Sequence, residues 1–313
     1  MDLALTDEQT LLREAVGELL DREGGWTDLV EFGALEEGLG AVELALIAWS
    51  TGAHLADVPF VEAGALAYVA PGHGRAALCL GEPDEPRAVL VEGRISGENA
   101  GVAFAETAEL LAVAVSGSAV ALVRSGAEGV SFQPETTLDP GLAPALVRFD
   151  AAEIVELLDA DVDQLASVAA VLAAADAVGA AAAVLELART YASQRRQFGH
   201  TIGSFQAIRH LLADMYVDVE SAWSSVLYAA AALDEHEPDA IRTASIAKAY
   251  AGRATLDVAH GALQVFGGIA FTAEHPAHRF LRRVVARRDE FGTPRDHARR
   301  LGRALARGVE VVA

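Results

Sequence analysis

The feature that most constrains the fold is the run from Gln164 to Gln194, which has the pattern of one long helix. Its centre, Leu165–Leu187, is dominated by alanine and interrupted by charge only at Asp176 and Glu186. Such interruptions suit a helix packed inside a protein better than one spanning a membrane. Further helices are expected over Ser204–Glu235, Pro238–Phe266 and Pro276–Arg288, with a last one from Pro294. In the first of these, Ile208, Leu211, Leu212, Met215 and Val219 recur at three and four residues, the stripe of an amphipathic helix. Long helices joined by short loops fit an antiparallel bundle, and abundant alanine lets helices approach closely.

Ahead of this half the character differs. Thr6-Asp7-Glu8-Gln9 is a capping-box pattern opening an amphipathic run through Leu11, Leu12, Val16, Leu19 and Leu20, which Gly24-Gly25 stops. A second helix is expected over Leu39–Gly52, and a third, short one follows the break at His54–Pro59. From Ala76 the chain turns to short β-prone runs: Ala76–Leu80, Ala88–Val91, Leu110–Val115, Ala119–Arg124 and Ala145–Phe149. Gly, Pro, Asp and Asn separate them, which predicts a small antiparallel sandwich or barrel. At 313 residues there is room for two or three domains and a substantial core. The expected fold is mainly α with a small β-domain: a helical N-terminal domain over 1–75, a middle β-domain over 76–158 and a helical bundle over 159–313.

The formal net charge of −21 argues against a general affinity for nucleic acid or anionic membrane. Lys248 is the only lysine, and arginines crowd near the end at 279, 282, 283, 287, 288, 295, 299 and 300. That cluster is read as a solvated helical face, with an acidic-partner surface or a phosphate site as alternatives. Cys79 stands alone, which leaves no disulfide framework or cysteine metal cluster. The Met-Asp-Leu start lacks a basic region ahead of an apolar one, so a soluble, cytoplasmic protein is expected.

Between the first two bundle helices lies Arg195–Gln206, R-R-Q-F-G-H-T-I-G-S-F-Q. Arg195 and Arg196 could neutralise an anion, Gly199 and Gly203 let the backbone turn, and Ser204 could cap the next helix, whose N-terminus favours negative charge. The alternative is an ordinary helix–loop–helix in which the arginines satisfy C-terminal carbonyls. A second block, Gln264–Pro276, reads Q-V-F-G-G-I-A-F-T-A-E-H-P. Together the two blocks resemble the C-terminal signature of the acyl-CoA dehydrogenase family. The likeness covers nearly the whole chain, strongly after Ala166 and more weakly before it.

The resemblance implies an acyl-CoA dehydrogenase-like fold, with a shortened N-terminal helical domain, a middle antiparallel β-domain and a C-terminal four-helix bundle. Much of the family's structure between the first helix and Gly38 is expected to be missing. It also implies an FAD site spanning two subunits, in which Arg195, Phe198, Gln206, Gln264, Gly267 and Gly268 match the positions that hold the partner's pyrophosphate and adenosine. Ala270 departs from a third family glycine. The flavin-facing half looks lost: Gly81-Glu82-Pro83-Asp84-Glu85-Pro86 replaces the family's T-E-x-x-x-G-S-D. The tryptophan that lies against the flavin is absent too, since Trp26, Trp49 and Trp223 lie elsewhere.

The family's reaction removes an α-proton from a thioester, which needs a carboxylate base in a dry pocket. Both family base positions are apolar here, at Phe291 and Ala169, with Glu290 one residue away as a fallback and Asp289 behind it. The expectation is therefore a base-lacking subunit of a heteromeric (α2β2) acyl-CoA dehydrogenase. A sister subunit would supply the flavin platform and glutamate, acting on a bulky, steroid-derived acyl-CoA and passing electrons to an acceptor such as an electron-transfer flavoprotein. The alternatives are a complete homomeric dehydrogenase using Glu290 or Asp289, and an FAD-free scaffold.

Overall fold

The computed structural model describes residues 3–22, 24–81, 88–116 and 118–310. Glu82–Pro86, the segment in place of the family's flavin-contacting loop, therefore lies outside the described residues. Thr6 and Gln9 close the expected capping box at 3.1 and 3.0 Å and open α1 (Asp7–Asp21). Between α1 and Gly38, where much of the family's structure is expected to be missing, the described residues hold a short helix, α2 (Trp26–Glu31), whose Leu29 is fully buried. α3 (Ala41–Ala53) and α4 (Phe60–Val69) follow, both buried over most of their length.

The β-domain is two packed four-stranded sheets. The first has the order β1 (Ala76–Cys79), β4 (Leu110–Ser116), β5 (Ala119–Arg124), β8 (Glu156–Asp159). The second has the order β2 (Ala88–Val91), β3 (Arg94–Val102), β7 (Ala145–Glu153), β6 (Val130–Pro134). One pair corrects the antiparallel expectation: β1 runs parallel to β4. The chain leaves the first sheet after β1, builds β2 and β3 in the second, and returns, a connection long enough for a parallel pair.

The first sheet is covered on both faces. Ala77, Cys79, Leu111, Val113, Ala121 and Val123 meet Ile95, Val147 and Phe149 of the second sheet. Their alternating neighbours, Ala76, Leu78, Ala112, Val120 and Leu122, join the core of the helices. Burial on both faces explains why these strands read as continuous apolar runs.

α5 (Val162–Gln194) is the central post, surrounded by α3, α4, α6 (Gln206–Asp234), α7 (Ala240–Phe266) and α8 (Ala277–Asp289). It is long and apolar enough to cross a membrane, yet is buried inside the protein. α9 (Pro294–Glu310) packs on α7. α3 and α5 cross at two glycines: a Cβ on Gly52 would lie 1.8 Å from the Asp176 carbonyl oxygen, and one on Gly179 1.9 Å from that of Trp49. Only hydrogen fits at either position.

Candidate functional site

The chemistry-bearing residues gather at the two ends of α5, whose 33 residues make a post roughly 50 Å long. At its C-terminal end the chain forms a tight hairpin, β9 (Arg196–Gln197) with β10 (His200–Thr201). The two turn residues, Phe198 (φ 51°) and Gly199 (φ 80°), both take the left-handed conformation that such hairpins require. Glycine adopts it freely; for phenylalanine it is uncommon, and here it presents a ring that is 89% exposed and meets Phe205 edge-on at 6.3 Å.

The adjacent arginines are used differently. Arg196 donates from Nη2 to the Gly199 carbonyl at 3.0 Å and closes the turn. The Arg195 side chain is exposed and makes no ion pair among the described residues. Ser204 does not cap α6: its hydroxyl donates back to the Thr201 carbonyl at 2.6 Å, and the cap position is Phe205, without a side-chain hydrogen bond. The local turn competes for this serine and wins.

Gln206 opens α6 and Gln264 sits in the last turn of α7, both exposed. Gly267 ends α7 at φ 67°, ψ −144°, a conformation natural only to glycine. A Cβ on Gly267 or Gly268 would meet nothing within 4 Å, so nothing among the described residues requires Gly268 to be small. Ala270 is fully buried in the main core, so its methyl adds nothing to this surface. Tyr191 and Phe266 stack edge-on at 5.4 Å and tie the ends of α5 and α7 together. All six expected nucleotide-binding residues thus share one end of the bundle, beside exposed Ile269 and Phe271.

At the N-terminal end of α5 lies a cavity of about 460 Å³ between α4, β1, β3, the start of α5 and the loop 289–293. Phe291, one of the two expected base positions, lines it with Asp289 and Glu290; Ala169 does not, being enclosed in the core about one turn beyond Ala166. Glu290 is engaged: Arg287 Nη1 donates to its Oε2 at 2.6 Å and to Glu62 Oε1 at 2.8 Å. Burial works against the charge on Arg287, but Glu290, Glu62 and Asp176 together hold its pKa well above the usual arginine value. Burial pushes the Glu62 carboxyl up to about 7, with Glu290 adding to the rise and Arg287 opposing it.

One turn earlier on α8, Arg283 spends five hydrogen bonds on Asp139, Asp176, Asp57 and the Ala56 carbonyl. Both arginines are 1% exposed, which corrects the solvated-face expectation for these two members of the cluster. Lys248, also buried, donates to the Arg287 carbonyl, and burial lowers its pKa to about 7. Glu62, Arg283 and Arg287 were not singled out as site residues from sequence. Their signals were a lone carboxylate in the apolar run of α4 and two arginines four residues apart on one helical face.

The architecture is that of a helical bundle with an inserted β-sandwich, shared over almost the full chain with two solved structures. The Tcur3481–Tcur3483 steroid ACAD, in a glycine-to-alanine variant, superposes with a TM-score of 0.87 at 25% identity, covering 97% of this chain and 99% of that one. The ChsE4–ChsE5 complex from Mycobacterium tuberculosis gives 0.84 at 26% identity, covering 98% and 99%. Residues 163–306 match the family description Acyl-CoA dehydrogenase, C-terminal domain. Acyl-CoA dehydrogenase FadE27 of Mycobacterium tuberculosis is 30% identical over 98% of this chain and 94% of its own length. The chain belongs to the acyl-CoA dehydrogenase family, a family of flavin-dependent oxidoreductases. Acyl-CoA dehydrogenase IpdE2 is 39% identical in Mycolicibacterium smegmatis, over 44% of this chain, and 36% in Mycobacterium tuberculosis, over 63%. Those matches span 42% and 57% of the relatives' lengths.

Proposed function

We propose that this chain is the base-lacking subunit of a heteromeric FAD-dependent acyl-CoA dehydrogenase and completes the FAD site of a sister subunit. The observation that carries this is a separation. The nucleotide-matching residues and the cavity lie at opposite ends of α5, and Ala166 to Arg195 along the helix is roughly 45 Å. One dinucleotide is too short to use both, so the cradle serves a flavin whose ring rests on another chain.

The residues present fit the nucleotide half of FAD. The Arg195 guanidinium is available for a pyrophosphate, the backbone at Gly267 and Gly268 is open to close approach, and the Phe198 ring stands ready to lie against the ribose or adenine. Gln206 and Gln264 add exposed amides to the same end. Bound FAD would supply the hydride acceptor; this chain's part is to hold and orient its nucleotide half. The sister subunit supplies the flavin platform and the glutamate that takes the α-proton.

The homomeric alternative is disfavoured by the Glu290 contact. A carboxylate tied to Arg287 at 2.6 Å must abandon a buried ion pair before it can accept a proton from substrate. Asp289 is exposed, whereas a base of this kind needs a dry site. The two solved structures that this chain matches end to end carry paired names, and one is a steroid ACAD, which supports a heteromer acting on a bulky, steroid-derived acyl-CoA. The division at 1–75, 76–158 and 159–313 is proposed with the same parentage.

The test is co-expression with a longer homologue that keeps the glutamate. Flavin absorbance and acyl-CoA-dependent dye reduction are expected only in the co-purified complex. Stoichiometric flavin bound by this chain purified alone would overturn the proposal.

A further inference from the structure

Three side chains in the cavity at the N-terminal end of α5 are only partly satisfied: Glu62, Asn99 and His297. They are 1%, 3% and 5% exposed, and each has a buried atom with no hydrogen-bond partner among the described residues: Glu62 Oε2, Asn99 Oδ1 and His297 Nδ1. His297 Nε2 lies 3.1 Å from the Phe291 carbonyl, which can only accept, so Nε2 carries the proton and Nδ1 is a bare acceptor. With Glu62 ionised, as it is above pH 7, all three open positions are acceptors, and a buried acceptor calls for a donor.

The charge around them points the same way. Asp57, Asp139, Asp176, Glu62 and Glu290 are linked by ion pairs to Arg283 and Arg287, with Lys248 beside them: five carboxylates against three cations. No group of three His, Cys, Asp or Glu among the described residues is arranged to hold a metal ion. The rest of the wall is mixed: Leu78, Leu80, Val102 and Phe291 are apolar, Asp163, Asp289 and Asp296 add carboxylates, and Arg300 adds one guanidinium, 3.8 Å from Asp163; about 460 Å³ is the size of a small-molecule pocket.

We propose that this cavity binds a small organic cation, its primary ammonium head donating to Glu62 and its apolar body lying against Leu78, Leu80, Val102 and Phe291. An ammonium offers three donors and no acceptor, which suits a wall of bare acceptors, and its charge offsets the carboxylate excess. The proposal rests on the cavity alone and is independent of the flavin cradle at the other end of α5.

The experiment is titration calorimetry of the full-length chain with hexylammonium, hexanol and hexanoate as probes. Saturable one-to-one binding of hexylammonium is expected, with hexanol weaker by about tenfold or more and hexanoate silent. Glu62→Gln should weaken the amine by a similar factor. Because Glu62 also holds Arg287, Ala166→Phe provides the second variant: it puts a ring into the cavity, leaves every acceptor in place, and should clearly weaken binding with an unchanged circular dichroism spectrum. Absent saturation, equal affinity for amine and alcohol, or full binding by Ala166→Phe would each overturn the proposal. Arg195→Ala should leave amine binding unchanged, which separates this result from the flavin reading.

Discussion

Arg195 and Arg196 are neighbours with opposite assignments, and the contrast makes a sharp test. Arg196 is spent on the Gly199 carbonyl, whereas Arg195 is exposed and uncommitted. Arg195→Ala should weaken flavin retention in the complex by about 1.5–3 kcal/mol, the worth of a charge-assisted contact. Arg196→Ala should leave flavin affinity nearly intact; equal loss from both would remove the assignment. Glu290→Gln keeps the shape beside Arg287 and deletes a buried counter-charge, so it should lower stability by about 1–3 kcal/mol while turnover of the complex persists. A turnover loss of roughly 100-fold to 10,000-fold, in a complex still holding flavin, would show that Glu290 is the base. The exposed candidate residues at the C-terminal end of α5 were singled out by motif spacing. Glu62, Arg283 and Arg287 were not, because burial of a charge depends on partners more than a hundred residues away, as with Arg283 and Asp176.

At the scale of elements, the long helices were legible from periodicity and punctuation: Val162–Gln194 and Ala240–Phe266 lie within two residues of their expected bounds. Strands fared less evenly. β3 (R-I-S-G-E-N-A-G-V) and β6 are largely exposed and rich in polar residues, so neither announces itself by hydrophobicity. The parallel β1–β4 pair depends on which sheet the intervening strands join, which no local pattern encodes. The α3–α5 crossing yields a prediction at this scale. Gly179→Ala sets a methyl against the Trp49 carbonyl and should cost about 1–3 kcal/mol or more, read as a lower urea midpoint. Gly302→Ala, on α9 with open space around it, should instead raise stability by about 0.5–1 kcal/mol. Equal shifts at both positions would mean that helix propensity, and not the crossing, governs Gly179.

For the molecule as a whole, the buried charge cluster joins α4, α5, α8 and the loop after α8, and its titration should be visible in global stability. Glu62 is raised from 4.5 to about 7, chiefly by burial, so between those values the folded chain holds a proton that the unfolded chain has lost. Stability from this group is full below pH 4.5 and falls as pH rises toward 7. His297 is lowered from 6.5 to about 4, again chiefly by burial, so between those values the folded chain lacks a proton that the unfolded chain holds. Its contribution rises with pH over that window and opposes Glu62 from about 4.5 to 6.5. Each slope is at most about 1.4 kcal/mol per pH unit, so the pair largely cancels in the native protein. Glu62→Gln unmasks His297: relative to the parent, the variant should gain stability steadily from pH 4.5 to 7. His297→Gln should unmask Glu62, so its stability relative to the parent should fall from pH 4 to 6.5. Chemical denaturation at four pH values in that interval measures both differences. A Glu62→Gln difference that stays constant with pH would mean that Arg287 keeps Glu62 ionised throughout, its ion pair outweighing the burial that raises the carboxyl.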